Sequence, residues 1–451
     1  MITALAAWWR SLDVYANPRV RAMLCLGFSS GLPIALVLTT LSVRLRQSGI
    51  DRTTIGYFSL VGLAYSLKYF WAPVVDRLPL PGLGRLGRRR GWMLLAQLGI
   101  IVGLVVMAIA NPAADAQRFA LLAVFTAFVS ATQDITVDAY RIEAVGSETQ
   151  GAMAAAYQTG YQIASICTGA GALTLAAELG WTFAYLVMAV CGLVGLITTL
   201  CIAEPETSGT SAARPQEPLV QRFVESSQHW PRALRNLVAW CIGAVVCPFA
   251  DFFQRLGWKV ALPAMALMAT YRLNYTTMGV AANTFYLDIG FKLEQIALVS
   301  KVYGIGMTIV GAFLAGLLIR RLGVPRTLLV GLLMLSGANL VYAYIATLPA
   351  NIAWLATAVS ADNIANGIAG TAFIAYMSSL TSSNYTATQY ALFGMLWSLP
   401  AKTIASQWGR IVDAWGYPSF FIYTAVIGVV ALPLVLWAVW RERGSGRVDR
   451  T

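Results

Sequence analysis

At 451 residues the chain is 58% hydrophobic and only 12% charged, with a mean hydropathy of +0.66, whereas a soluble domain carries about 25% charged residues. That excludes a soluble globule and leaves a membrane protein, because one bilayer crossing takes about 20 mainly apolar residues and such runs fill nearly the whole length. The net charge of +12 does not point to nucleic acid: the arginines gather at Arg85 to Arg90, Arg320 to Arg326 and Arg441 to Arg450, each just outside an apolar run, as in loops held on the cytoplasmic side.

Along the chain, Arg10, Asp13, Arg19 and Arg21 precede the first apolar run without the shape of a signal peptide, so the N-terminus is expected to stay in the cytoplasm. Apolar runs between charges and Pro/Gly clusters predict helices α1 to α6 near 20–43, 54–75, 92–110, 117–140, 150–176 and 181–203. A polar, proline-bearing stretch from Glu204 to Arg235 follows, then α7 to α12 near 259–287, 293–320, 326–347, 351–378, 386–413 and 418–440. Leu237 to Ala250, at about 14 residues, is too short to cross and reads as an interfacial or re-entrant helix. The expected architecture is all-α, with twelve transmembrane helices in two six-helix bundles: 1–203, a cytoplasmic linker at 204–258, and 259–451, both termini being cytoplasmic. The bundles read as repeats, since α2 and α8 each end in a short basic loop and α4 and α10 each pair an acid with an amide; internal repeats of this kind are typical of secondary transporters. The six cysteines lack the paired spacing of a zinc site and read as small hydrophobes.

The stretch Ala131 to Arg141, ATQDITVDAYR, places two carboxylates, an amide and an arginine at the end of α4. Asp134 and Asp138 are four residues apart and share a helix face with Arg141. An ionised Asp in hydrocarbon costs roughly 3 kcal/mol on insertion scales, so such groups face a bundle interior or a wet cavity and mark an ion or substrate path. Two acids for one base leave one carboxylate free to take up and release a proton; the alternative is a buried ion-pair lock between helices. His229, the only histidine, lies in the linker, so a proton relay inside the bundle must use carboxylates. Lys68, Arg272, Lys301, Lys402 and Arg410 are the costly cations of α2, α7, α8 and α11. Arg410 and Lys402 sit where a long side chain can snorkel to headgroups, whereas a cavity bearing the others suits a ligand with carboxylates.

Asp76-Arg77 with Arg88, Arg89 and Arg90 approaches the form G-x-L-x-D-R-x-G-R-R of the major facilitator superfamily, with Pro79 and Pro81 inserted, and Arg320, Arg321, Gly323 and Arg326 form a second partial copy after α8. An acid at a helix end that pairs with arginines across a seam stabilises one conformation and releases in the other, so these residues are gating candidates.

GFSSGLP at Gly27 to Pro33, TTIGYFSLVG at Thr53 to Gly62, LKYFWAPVVDR at Leu67 to Arg77, GRRRGW at Gly87 to Trp92, ATQDITVDAYR, SKVYG at Ser300 to Gly304, Asp362-Asn363 and TATQYALF at Thr386 to Phe393 together resemble the AmpG-like anhydromuropeptide permeases, a branch of that superfamily. The resemblance covers nearly the whole chain. It implies proton-driven import of N-acetylglucosaminyl-anhydromuramyl peptides across a bacterial inner membrane, for cell-wall recycling and β-lactamase induction, by a monomer whose only energy source is the proton gradient. Asp134 and Asp138 are then expected in proton coupling, and Gln133, Lys68, Arg141, Arg272, Asn274, Lys301, Asp362 and Asn363 in substrate binding. One departure stands out: Tyr275 follows Arg272-Leu273-Asn274 where an acid is expected. The same branch includes siderophore and acetyl-CoA permeases, and a receptor that binds wall fragments without moving them is the other alternative. An enzyme lacks support, for there is no H-E-x-x-H, no P-loop, and no G-x-S-x-G with a histidine in the bundle.

Overall fold

The computed structural model describes residues 13–50, 58–205, 217–291, 293–405 and 407–448. Residues 53–57, the first half of the TTIGYFSLVG stretch, lie outside these residues. Helices stand at all twelve expected positions, and no strand occurs among the described residues. In hydrocarbon a helix satisfies its backbone within one segment, which is why apolar runs of this length fold in no other way.

α1 spans Pro18–Gln47, opened by Asn17, whose side chain accepts from the Arg19 amide, and broken at Leu38. α2 is a series of short turns over 59–77. α3 spans Arg88–Ile109, and α4 spans Ala116–Glu143 behind an Asp115 cap. One helical run, Gln150–Cys201, is divided into α5 and α6 at Gly180 (φ 84°). In the second half α7 covers Trp258–Thr270 and Leu273–Ile289, α8 runs over 293–322, α9 is Val324–Ile345 and α10 is Ile352–Leu380. α11 comprises Thr386–Ala405 and the stretch from Trp408 to Gly416 (φ 74°), where α12 begins. Gly180 and Gly416 hold equivalent places in the two halves, and each adopts a positive φ that other residues resist.

Small residues set the closest helix approaches, as they do where lipid removes the hydrophobic drive to associate. A Cβ on Gly31 would stand 2.7 Å from the Tyr161 carbonyl oxygen, and one on Gly160 would meet the Leu24 carbonyl, so α1 and α5 touch backbone to backbone. The halves meet where α2 packs on α11 and α5 on α8. A further missed feature is Arg44, which donates to the Met107 and Ala110 carbonyls at 2.8 and 2.9 Å between the Phe119 and Tyr185 rings, capping the end of α3.

The linker corrects the expectation of a 14-residue helix. A single helix runs over Arg232–Leu256, 25 residues: Arg235 and Asp251, the charges that bound the apolar run, lie within it, a π-turn at Ile242–Val246 carries it past the glycine, and Pro248 sits at the first turn of the last segment, where its missing N–H costs nothing. It is one of eight stretches among the described residues long and apolar enough to cross a membrane, yet its contacts follow the bundle end. The Gly243 carbonyl accepts from Arg77, the Pro248 carbonyl from Gln389 at 2.8 Å, and Arg255 donates to the Leu380 carbonyl at 2.6 Å. Those partners are the ends of α2, α10 and α11, so the helix lies across them as a strap, with Leu234, Leu237, Trp240 and Val245 exposed.

Candidate functional site

A cavity of about 1010 Å³ lies between the halves, lined by α1, α2, α4, α5, α7, α10 and α11. Irregular backbone in a membrane is tolerated where it lines a cavity, and the break of α1 at Leu38 and the turns of α2 around Lys68 both do so.

Lys68, Asp138 and Arg272 of the predicted set line this cavity. Lys68 Nζ lies 3.9 Å from Asp134 Oδ2 and 3.8 Å from Asp138 Oδ2, so one ammonium stands between both acids. Arg141, fully buried, lies 3.4 Å from Asp138 Oδ1 and donates to Ser378 Oγ of α10 at 2.6 Å, with the Tyr157 and Tyr390 rings against its guanidinium. The acids of α4 are thereby joined to both halves at the floor of the cavity. Arg272 donates to Asn366 Oδ1 at 2.9 Å and packs on Tyr275 and Trp397; among the described residues no carboxylate lies within 4.0 Å of it. Tyr275, the departure from the expected acid, thus supplies an aromatic face to a cation.

Other predicted residues stand apart from the cavity wall. Gln133 points into the first bundle and donates to Ser29 Oγ at 2.8 Å. Asn274 is buried behind the wall. Asp362 is buried near Arg272, and Asn363 ties α10 to α8 by accepting from Thr308 at 2.9 Å. The side chain of Lys301 lies outside what is described.

The end bearing the arginine loops is sealed. Asp76, 1% exposed, accepts from Arg89 at 2.8 Å and from the second half through the Ala387 amide (3.1 Å), the Thr388 amide (2.7 Å) and the Thr388 hydroxyl (2.8 Å). Its carboxylate therefore caps the start of α11, where amides are free and negative charge is favoured. Arg89 also grips Glu143 (2.6 Å), Arg88 donates to the Asp76 carbonyl (2.5 Å), and Arg90 to the Leu200 carbonyl (2.9 Å). Arg77 pairs with Glu217 (2.6 Å), which also accepts from Tyr385 (2.8 Å). Burial, with the Glu217 carboxylate beside it, pushes the Tyr385 phenol up, so it remains a donor. Arg320 and Arg321 lie exposed in the last turn of α8.

Tyr157 and Tyr161 of α5, which in the sequence suit either packing or stacking on sugar rings, line the cavity, and Gln158 and Gln162, which the sequence reading missed, line it beside them; the repeat of both pairs at i, i+4 was a legible signal of one polar face. Lys402, expected to snorkel, also faces the cavity and donates to Ser66 Oγ of α2 at 3.1 Å.

A sequence profile of the Major Facilitator Superfamily matches residues 23–405. The chain is 33% identical over 428 residues to the anhydromuropeptide permease of Escherichia coli K12, covering 94% of this chain and 80% of that one. It is 31% identical over 430 residues to a Rickettsia conorii protein named as a transporter, AmpG 4, covering 95% and 98%. Among solved structures it resembles the proton:xylose symporter XylE bound to 6-bromo-6-deoxy-D-glucose (TM-score 0.67, 12% identity, covering 95% of this chain and 96% of that one). FucP in the outward conformation is similar to the same degree (TM-score 0.67, 12% identity, 94% and 99%), and at such identities the likeness speaks for the fold alone. The chain belongs to the major facilitator superfamily of membrane transporters, within its AmpG-like anhydromuropeptide permease family.

Proposed function

We propose that this protein imports N-acetylglucosaminyl-anhydromuramyl peptides across the bacterial inner membrane in symport with protons, as a monomer with both termini in the cytoplasm. Asp134 and Asp138 carry the proton. The single observation that carries the reading is the grouping at the cavity floor: two carboxylates share one ammonium at 3.8 to 3.9 Å, while only Asp138 also meets Arg141. Bringing a proton to one acid frees Lys68 for an anionic ligand, and its loss restores the pairing, so binding and protonation favour each other.

The cavity volume is at the upper end for small-molecule sites, in keeping with a disaccharide bearing a peptide. Lys68, Arg272 and Lys402 offer donors to peptide carboxylates, and the tyrosines and glutamines of α5 offer stacking and hydrogen bonds to sugar rings. With the arginine loops inside, the seal at Asp76 closes the cytoplasmic end and the cavity faces outward. The reading is tested by uptake of radiolabelled N-acetylglucosaminyl-anhydromuramyl peptide into proteoliposomes, with and without an inward proton gradient. Uptake that the gradient accelerates, and that Asp134→Asn and Asp138→Asn abolish in folded protein, supports it. Gradient-independent or absent uptake refutes it, and preference for a siderophore or an acyl-CoA under the same gradient moves the cargo to another class.

A further inference from the structure

Behind the α4 acids, away from the cavity, the first bundle holds a seam of buried polar atoms that nothing so far uses. Ser29 and Ser30 of α1, Gln97 of α3, Gln133 of α4 and Thr199 of α6 are each at most 4% exposed, and none lines the cavity. The Gln133 amide donates to Ser29 Oγ. Around that bond, Ser30 Oγ, both amide atoms of Gln97, Gln133 Oε1, Asp134 Oδ1 and Thr199 Oγ1 are buried without a hydrogen-bond partner on the protein.

These groups are neighbours. A Cβ on Gly195 of α6 would press into Ser29 Oγ and stand 3.0 Å from Gln97 Nε2, so α1, α3 and α6 converge on one polar spot. Ser30 adjoins Asp134. Thr199 lies one helical turn beyond Gly195, and its carbonyl accepts from Arg90 Nε at 3.1 Å, at the sealed end of the bundle. The seam therefore leads from Asp134 toward the arginine end by a path separate from the cavity.

The second half repeats the plan. A Cβ on Gly428 of α12 would stand 2.5 Å from Ser336 Oγ of α9 and 2.8 Å from Asn274 Nδ2 of α7, which are the counterparts of α6, α3 and α1. Both polar atoms are again buried without a protein partner, as is Oδ1 of Asp362 on α10. Buried polar groups are normally satisfied, and where protein does not do it an internal water making about three hydrogen bonds does. A cluster of donors and acceptors without protein partners is what a file of such waters requires.

We propose that Ser29, Ser30, Gln97, Gln133 and Thr199 hold a file of internal water that carries the proton from Asp134 to the cytoplasmic end of the first bundle, a route apart from the cavity, whose own cytoplasmic end is sealed at Asp76. The proton leaves the Asp134 carboxyl for the adjoining water, regenerating the carboxylate, and one proton emerges beside Arg90 for each that entered. The amides and hydroxyls position the water and are not themselves titrated. The inference rests on the proton-coupled reading above.

The test uses Gln97→Met and Thr199→Val, which keep shape and remove polarity, in proteoliposomes carrying an internal pH dye. Cargo counterflow needs no proton release, because a protonated carrier can exchange cargo, whereas net driven uptake does. Both variants are expected to lose at least tenfold in cargo-dependent proton entry and driven uptake while counterflow stays within twofold of the unsubstituted protein. Proton entry within twofold of the unsubstituted protein in both variants overturns the relay alone, as does counterflow that falls in parallel. Should Gln97→Met not be monodisperse, Thr199→Val decides by the same criteria. Cargo entering through the unsubstituted protein without any proton overturns the coupling reading itself, an outcome seen before any variant is compared.

Discussion

Replacing Asp76 by Asn separates the seal from the fold. In the sealed state the carboxylate accepts three hydrogen bonds from the second half, through two amides and a hydroxyl, besides the one from Arg89 within its own half. Asn offers one accepting oxygen and turns an N–H toward donors, so at least two charge-assisted bonds are lost from this conformation. At about 1.5 kcal/mol for each, the low end for bonds to charged groups, the sealed state loses about 3 kcal/mol relative to any state in which α2 and α11 have parted, or about a hundredfold in the equilibrium. Cys247, 4% exposed in the strap beside this seal, reports the change. In a background where it is the only cysteine, its alkylation by a water-soluble maleimide should accelerate up to about a hundredfold in Asp76→Asn, in proportion to the population shift. A rate within twofold of the parent, in monodisperse protein, would refute the assignment of Asp76 as a cross-half latch.

Other substitutions probe separate joints. Ser378→Ala removes the acceptor that Arg141 reaches across the halves at 2.6 Å and should cost the sealed state about 1.5–3 kcal/mol, read as faster Cys247 alkylation with overall folding retained. Tyr385→Phe deletes the donor to Glu217 and should loosen the strap by a similar amount; an unchanged rate would mean that Arg77 alone holds Glu217. Gly160→Ala drives a methyl into the α1 backbone and should cost at least about 2 kcal/mol of stability, seen as a lowered thermal midpoint, whereas Gly306→Ala, with nothing within 4 Å, should be neutral. Cys241, exposed on the strap, should react faster with a lipid-soluble maleimide than with a charged one; the reverse order would mean that this face of the strap meets water.

The helices and the α4 acids were legible because charge is rare in this chain, so each carboxylate or lysine inside an apolar run announces itself. Which side of a helix faces the cavity was not legible. Gln133 and Asp134 are adjacent, yet one points into the bundle and the other toward Lys68, and in α10, apolar on all sides, nothing in the periodicity separates Asp362 from the wall residue Asn366. The basic loop after α2 was read as a gate, but its main partners, the amides of Ala387 and Thr388, are backbone groups some 311 residues away and carry no side-chain signature. The strap reads short in the sequence because Arg235 and Asp251 bound its apolar run, whereas the helix continues through both charges as Arg232–Leu256.

Cargo-dependent proton entry is the most direct measure of the central claim that the Asp134, Asp138 and Lys68 group couples the cavity to a proton gradient. In proteoliposomes with a trapped pH dye and no imposed gradient, adding N-acetylglucosaminyl-anhydromuramyl peptide outside should acidify the lumen through the unsubstituted protein and leave it unchanged through Asp138→Asn. Cargo that accumulates inside without acidification, or acidification that persists in Asp138→Asn, would contradict the account.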